Sequence, residues 1–366
     1  MAPPPPSDAS TPSSPSHPSN ASPEQDRLVS TISEAFARIA PDMERVEAAL
    51  RDTLDSKAAL IPVLGDHLLS SGGKRLRPAL VLLAAELCGY VGPRRIELAA
   101  ALELLHSATL LHDDIVDLAE LRRGRPSANA IWGNRRAVLG GDYLYARASS
   151  IVVEGGNLEI VESYARTIGS LAEGELLQLE RSFDVDVTEA HYYDVIERKS
   201  AALLASCCEI GALLGDVTRS ERNRIAEYGR QLGLAFQIRD DCLDYDARVT
   251  ELGKQPFADL REGKITLPLI LTLKRCRVAE HDHVASVLKN AARLADEHGG
   301  LAPFEATEAE IATVVALVDR YHGVADATRR AGDHVARARE AIAPFPDSPT
   351  RRALEAAAEF AVARDR

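Results

Sequence analysis

The sequence predicts an all-α protein folded as a single large helical bundle. Three observations predict it. Apolar residues recur at three- and four-residue spacing from about Glu24 to the C-terminus, alternating strand-like runs are nearly absent, and several long segments are apolar on most faces. A chain of 366 residues with 46% hydrophobic content can bury a substantial core. With no fixed-period repeat and no linker after the first residues, one domain over 24–366 is the simplest organisation.

Residues 1–23 contain eight prolines and seven serines. So few apolar side chains cannot offset the entropy of ordering, and a disordered tail is expected. No Lys or Arg precedes Arg27 and there is no apolar h-region, so neither a transit peptide nor a secretory signal is expected. Beyond the tail, Gly and Pro punctuate the helices: Gly72-Gly73 ahead of Pro78, Gly92-Pro93, Gly124, Gly155-Gly156 and Gly215. Thr218 with Glu221 reads as a capping box, and Ser348-Pro349 as an N-cap followed by N1. About a dozen helices result. Ile96–Leu121, Thr188–Leu214 and Glu221–Tyr245 are apolar enough to lie inside the bundle.

A formal charge of -12 argues against nucleic-acid binding, which needs clustered Lys and Arg. No apolar run approaches the roughly 18 residues of a membrane span. The five cysteines (Cys88, Cys207, Cys208, Cys242, Cys276) show no C-x-x-C spacing, which fits a reducing cytoplasm.

Chemistry is signalled first by Asp113, Asp114 and Asp117, which interrupt the end of an apolar helix. Asp113 and Asp117 are i, i+4 and project from one side, ~6 Å apart along the axis, with Asp114 offset by about 100°. One such cluster is ordinarily a solvated helix end. The same spacing recurs 127 residues later as Asp240, Asp241 and Asp244, again closing an apolar helix. Six carboxylates facing one another in a bundle would repel unless cations neutralised them. Oxygen-only ligands without His or Cys at metal spacing favour Mg²⁺, which takes one or two carboxylates plus substrate phosphates and water. The substrate is therefore expected to carry a polyphosphate. Basic groups follow both clusters: Arg122 and Arg123 after the first, Lys254 and Lys264 after the second. A glycine turn at 72–73 brings in Lys74, Arg75 and Arg77. Each alone reads as a solvated loop or a helix-end charge; together they suit diphosphates held by direct cations as well as Mg²⁺.

The ordered motifs resemble the trans-isoprenyl diphosphate synthases, a family that includes farnesyl, geranylgeranyl and long-chain polyprenyl enzymes. The matching stretches are G-G-K-R-L-R-P (72–78), L-L-H-S-A-T-L-L-H-D-D-I-V-D (104–117), R-R-G (122–124), G-D-Y-L-Y-A-R-A (141–148), E-G-E-L-L-Q-L (173–179), R-K-S-A-A-L (198–203), G-L-A-F-Q-I-R-D-D-C-L-D (233–244) and G-K-Q-P-F-A-D-L-R-E-G-K-I-T-L-P (253–268). The resemblance implies the isoprenoid-synthase bundle and head-to-tail condensation of isopentenyl diphosphate with an allylic diphosphate. By that resemblance, Asp113, Asp114, Asp117, Asp240, Asp241 and Asp244 bind up to three Mg²⁺ ions at the allylic diphosphate, which Arg122, Lys199 and Lys254 also grip. Lys74, Arg77, His106 and Arg123 hold isopentenyl diphosphate, and Gln178, Ser200, Gln237 and Lys264 line the reacting centre. Ser200 stands where the family commonly has Thr and keeps the hydroxyl. A homodimer is the family's default; a peripheral membrane contact is a further possibility for product release.

Ionisation of the allylic carbon–oxygen bond needs its developing negative charge stabilised rather than a side-chain nucleophile. No isolated His or carboxylate reads as the terminal base, so released pyrophosphate is expected to take the final proton. Ala108 and Thr109, five and four positions before Asp113, are small where short-chain members of the family commonly carry a large residue. A long-chain product of the kind used for quinone side chains is therefore expected, with a geranylgeranyl product as the alternative. One turn deeper stand Ala101, Leu104 and Leu105, to which a facing helix could add Tyr145 or Ser149. A class I terpene cyclase shares one aspartate motif but not normally a second of this type. A non-catalytic partner subunit would have lost aspartates or cations, and a helical scaffold leaves both clusters unexplained.

Overall fold

A computed structural model describes residues 23–70, 75–122, 124–245, 257–297 and 308–363. Lys74, Arg123, Lys254 and the expected tail through residue 22 lie outside these residues. In chain order the helices are α1 (Pro23–Thr53), α2 (Leu60–Ser70), α3 (Leu76–Leu87), α4 (Arg94–Val116), α5 (Ala128–Trp132), α6 (Asn134–Glu154), α7 (Leu158–Glu180), α8 (Glu189–Ile196), α9 (Ala202–Leu213), α10 (Arg219–Asp244), α11 (Ala258–Arg261), α12 (Leu267–Leu273), α13 (Val278–Glu297), α14 (Glu308–Arg320), α15 (Gly323–Ile342) and α16 (Pro349–Ala363). The fold is all-α. Among the described residues the strands are β1 (Leu121–Arg122) and β2 (Arg125–Pro126), an antiparallel ladder pairing Leu121 with Pro126 and Arg122 with Arg125.

The local signals act where their chemistry places them. The Thr218 hydroxyl accepts from the Glu221 amide while the Glu221 carboxylate accepts from the Thr218 amide, opening α10 with a full capping box. Near the C-terminus, the Ser348 hydroxyl accepts from the Arg351 amide and opens α16 with Pro349 in its first turn. The three long helices expected inside the bundle are modified. The first ends at Val116, five residues short of Leu121. The second is split between α8 and α9 by a π-helical turn over Glu197–Ala201. The third runs slightly further N-terminally than expected, from Arg219, and closes at Asp244.

The core forms two apolar bodies. The larger includes Leu80, Leu82, Leu98, Leu102, Leu105, Leu111 and Ile210; the smaller gathers Ile238, Leu260, Leu267, Val284, Val314 and Ala331. α10 belongs to both, with Tyr228 and Leu232 in the first and Leu234, Ile238 and Cys242 in the second. Its aspartates therefore close a helix anchored along its length. All five cysteines are free thiols, Cys276 being the one that is not buried. No helix among the described residues is long and apolar enough to cross a membrane.

Where α15 packs on α10, His334 is 6% exposed and its Nδ1 lies 2.6 Å from the Gln231 side-chain oxygen. Burial lowers its imidazole to about 4, helped by Arg337 and Arg230 and opposed by Asp333 and Glu227. Below pH ~6.5 the unfolded chain binds a proton here that the native state refuses until about 4. Stability should fall as pH drops through that window, by on the order of 1–3 kcal/mol, and level off below it. His334→Asn removes this part of the slope in denaturant unfolding series from pH 7 to 4; an unchanged slope contradicts the assignment.

Candidate active site

The first aspartate cluster is shaped by how α4 stops. Leu118 takes a left-handed conformation (φ 52°), its amide donates to the Ile115 carbonyl, and the Ala119 amide donates to the Asp114 carbonyl. These are the two bonds of a Schellman cap, made here without glycine at a cost of about 1–2 kcal/mol. Asp117 consequently becomes the C-cap rather than a helical residue directly below Asp113. The Asp117 amide nonetheless still donates to the Asp113 carbonyl at 2.7 Å, so the i, i+4 relation expected from sequence is kept at the helix end.

Beyond the cap, the β1–β2 turn, with Gly124 at φ 75°, brings Arg122 back onto α4. Its Nε and Nη2 both lie 2.6 Å from Oδ1 of the buried Asp114. Asp117 meets Lys264 Nζ at 3.2 Å. Burial works to lower that ammonium, but Glu262, Asp117 and Asp259 together hold it above its ordinary range.

The second cluster is held more rigidly. Asp241 is 3% exposed. Its Oδ2 accepts from the Tyr192 hydroxyl at 2.6 Å, and its Oδ1 accepts from Gln237 Nε2 at 2.8 Å. The Gln237 oxygen in turn accepts from the Ser200 hydroxyl at 2.6 Å. Asp244 caps α11, its oxygens accepting from the amides of Ala258 (2.9 Å) and Asp259 (3.1 Å).

The π turn supplies the cation between the clusters. Such turns recur inside α-helices at functional sites. Lys199 Nζ pairs with Glu175 on α7 at 2.7 Å. Two glycines allow this close approach: a Cβ on Gly174 would stand 2.7 Å from the Lys199 backbone nitrogen, and one on Gly233 would stand 2.5 Å from Ala201 Cα. The turn is therefore gripped between α7 and α10.

A cavity of about 110 Å³ opens here, lined by Gln178, Lys199, Ser200, Gln237, Asp241 and Lys264 among others. All six are expected site residues. Asp113 on α4 does not line this cavity but feels its cation: burial raises its carboxyl to about 7, Glu175 and Asp117 push the same way, and Lys199 and Arg122 oppose. Burial likewise raises Asp241 to about 7 against its hydrogen bonds from Tyr192 and Gln237, with Asp240 and Asp244 adding to the rise. Two carboxyls held near neutrality by burial and like charge are where a hard cation is favourable. Among the described residues no three His, Cys, Asp or Glu side chains converge enough to hold an ion alone. The donors fit Mg²⁺ if substrate phosphate and water complete its shell, as is usual for that ion.

Arg77, near the start of α3, and His106, midway along α4, are half-buried and do not line this cavity. Ala108 is 2% exposed within the larger core, whereas Thr109 is half-buried one turn before Asp113. Below them Ala101, Leu104 and Leu105 are buried, and Ser149 lies 3.2 Å from the Tyr164 hydroxyl of α7. Sequence reasoning passed over three residues that shape the site. Glu175 and Asp259 stand inside the quoted motifs at 173–179 and 253–268, so a signal existed. Burial raises Asp259 far above the usual carboxylate range, with Asp244 and Asp241 adding to it. Tyr192 carried no signal; an aromatic in a helix is ordinarily core.

Comparison with known proteins agrees with this arrangement. The family model for polyprenyl synthetase matches residues 59–298. Octaprenyl diphosphate synthase of Escherichia coli is 38% identical over 327 residues, 89% of this chain and 97% of that one. Among solved structures, a polyprenyl synthase from Caulobacter crescentus complexed with calcium and isoprenyl diphosphate has a TM-score of 0.84 at 38% identity, covering 92% of this chain and 98% of the other. A decaprenyl diphosphate synthase from Rhodobacter capsulatus has a TM-score of 0.84 at 37% identity, covering 92% and 99%. An all-α bundle with these matches is a prenyltransferase fold and not a generic scaffold. The chain belongs to the polyprenyl synthetase family.

Proposed function

We propose that this protein is a Mg²⁺-dependent trans-polyprenyl diphosphate synthase that adds isopentenyl diphosphate units to an allylic diphosphate, yielding a long-chain product suited to quinone side chains. The observation that carries the reading is Lys199, which acts on Asp113 of the first aspartate cluster and lines one cavity with Asp241 of the second, together with Gln178, Ser200, Gln237 and Lys264. The similarity to octaprenyl and decaprenyl diphosphate synthases over most of the chain supports the long product over a geranylgeranyl one.

In this reading Asp113, Asp114, Asp117, Asp240, Asp241 and Asp244 hold up to three Mg²⁺ ions, directly or through water. When bound, Mg²⁺ supplies Lewis-acid stabilisation of charge on the departing diphosphate. Arg122, Lys199 and Lys254 neutralise the same oxygens, and fixed cations in a partly dry site need little reorganisation as charge develops. Tyr192, Gln237 and Ser200 orient the Asp241 carboxylate through their chain of hydrogen bonds. Lys74, Arg77, His106 and Arg123 hold isopentenyl diphosphate so that its double bond sits near attack distance. Released pyrophosphate takes the final proton. A cytoplasmic homodimer with peripheral membrane contact at product release completes the proposal.

The test is incubation of purified protein with labelled isopentenyl diphosphate, Mg²⁺ and short allylic primers, sizing the product by chromatography. An acyclic ladder ending at long chains is expected; chelation should abolish it and added Mg²⁺ restore it. A cyclised product, or no incorporation with any primer, overturns the reading.

A further inference from the structure

The π turn at Glu197–Ala201 faces two ways. Lys199 and Ser200 look into the reaction cavity, while Glu197, its first residue, lies in a second and separate pocket of about 460 Å³ behind it, with Tyr193, Arg230, Gln231 and His334 among the lining residues. A π turn is rare and needs its surroundings to hold it. Gly174 and Gly233 define how closely α7 and α10 approach it, and on the side of the second pocket a polar anchor meets its first residue.

That anchor is a continuous polar chain. Arg230 Nη1 reaches Glu197 Oε2 at 3.1 Å, and its Nε and Nη2 grip Glu227 at 2.8 and 2.9 Å. Glu227 also accepts from Gln231 Nε2 at 2.7 Å, and the Gln231 oxygen meets His334 Nδ1 at 2.6 Å. The chain thus begins at a buried side chain of α15, crosses α10, and ends on the first residue of the turn. The far side of Arg230 is fixed by the bidentate Glu227, so its remaining nitrogen is aimed rather than free to wander. An isolated pair this exposed would contribute little to stability.

We propose that Arg230 and Glu197 are positioning residues: tied back to α15 through Glu227, Gln231 and His334, they hold the π turn in the register that presents Lys199 and Ser200 to the reacting diphosphate. The inference rests on the prenyl-transfer reading and on the role it gives Lys199. Neither residue lines the reaction cavity; a displacement of the Lys199 ammonium by about an ångström is enough to slow a reaction that depends on orientation.

Glu197→Gln, Arg230→Gln, the double variant and Arg230→Lys are compared with wild type in the isopentenyl incorporation assay, alongside Lys199→Met with and without Glu197→Gln. Each Gln variant is expected to lose about tenfold in kcat and to raise KM for the allylic primer, with unchanged thermal midpoint. The double variant should be no worse than the poorer single one, and Arg230→Lys should recover part of the loss. In the Lys199→Met background, Glu197→Gln should cost clearly less than in wild type, since Ser200 alone is left for the turn to present. Normal kcat in the Gln variants, additive losses, or the same loss with Lys199 already removed would overturn the positioning role. An inactive wild type would instead defeat the underlying reading.

Discussion

Asp241→Asn should lower turnover by about 10²–10³-fold, the range for losing one group that stabilises charge in the transition state, while leaving the folded protein at least as stable as wild type. The substitution keeps size and shape. The Tyr192 hydroxyl can rotate to accept from the new amide, and Gln237 can still donate to the remaining oxygen, so the chain from Tyr192 to Ser200 survives. What disappears is the negative charge. The sign on stability follows from the raised carboxyl: with a native value of about 7 and an ordinary value of 3.8, the native state holds a proton that the unfolded state gives up between these pH values. Wild-type stability therefore declines as pH rises through that window, and the Asn variant lacks the decline. Thermal midpoints at pH 8 in chelating buffer should be equal or higher for the variant, and its activity should not be recovered by extra Mg²⁺. Near-normal incorporation would show that this aspartate does not serve the reaction. A lower midpoint would mean that its charge supports the fold.

Thr109→Phe should shorten the product to the short-chain range while the first additions proceed near the wild-type rate. Thr109 is on the Asp113 side of α4, one turn deeper, half-buried and bonded only back to its own helix through the His106 carbonyl at 2.8 Å. Added bulk there projects below the aspartates, where the growing chain would pass. Ala108 is the less informative site: it is fully packed in the core, and a Phe there overpacks at about 1–3 kcal/mol whether or not a chain passes nearby. Chromatographic sizing with one primer and excess isopentenyl diphosphate reads the outcome. An unchanged product ladder from a folded Thr109→Phe protein would place the product channel elsewhere.

How much of the site is legible in sequence varies by residue. Asp113 and Asp241 announce themselves because a carboxylate breaking an apolar helix face is visible at helical spacing, and the repeat removes coincidence. Asp117 is legible in type and spacing, but the Schellman cap that ends the helix at it turns on Leu118, a left-handed leucine that no turn rule would choose. Lys199 is legible through its motif, but the π turn that presents it is not: an extra residue shifts the helical phase by about 100°, and the segment Thr188–Leu214 is apolar on too many faces for that shift to show.

The sequence by itself determined the all-α class, the helix starts at Thr218 and Ser348, and the residue types proposed to meet metal and diphosphate, because each depends on neighbours within a few positions along the chain. Only the tertiary structure decided which charges face one another. Lys199 finds Glu175 across 24 residues, Tyr192 finds Asp241 across 49, and Lys264 finds Asp117 across 147. Separations of that kind leave no periodic trace, and the burial that raises Asp113 and Asp241 toward neutrality exists only once the bundle has closed around them.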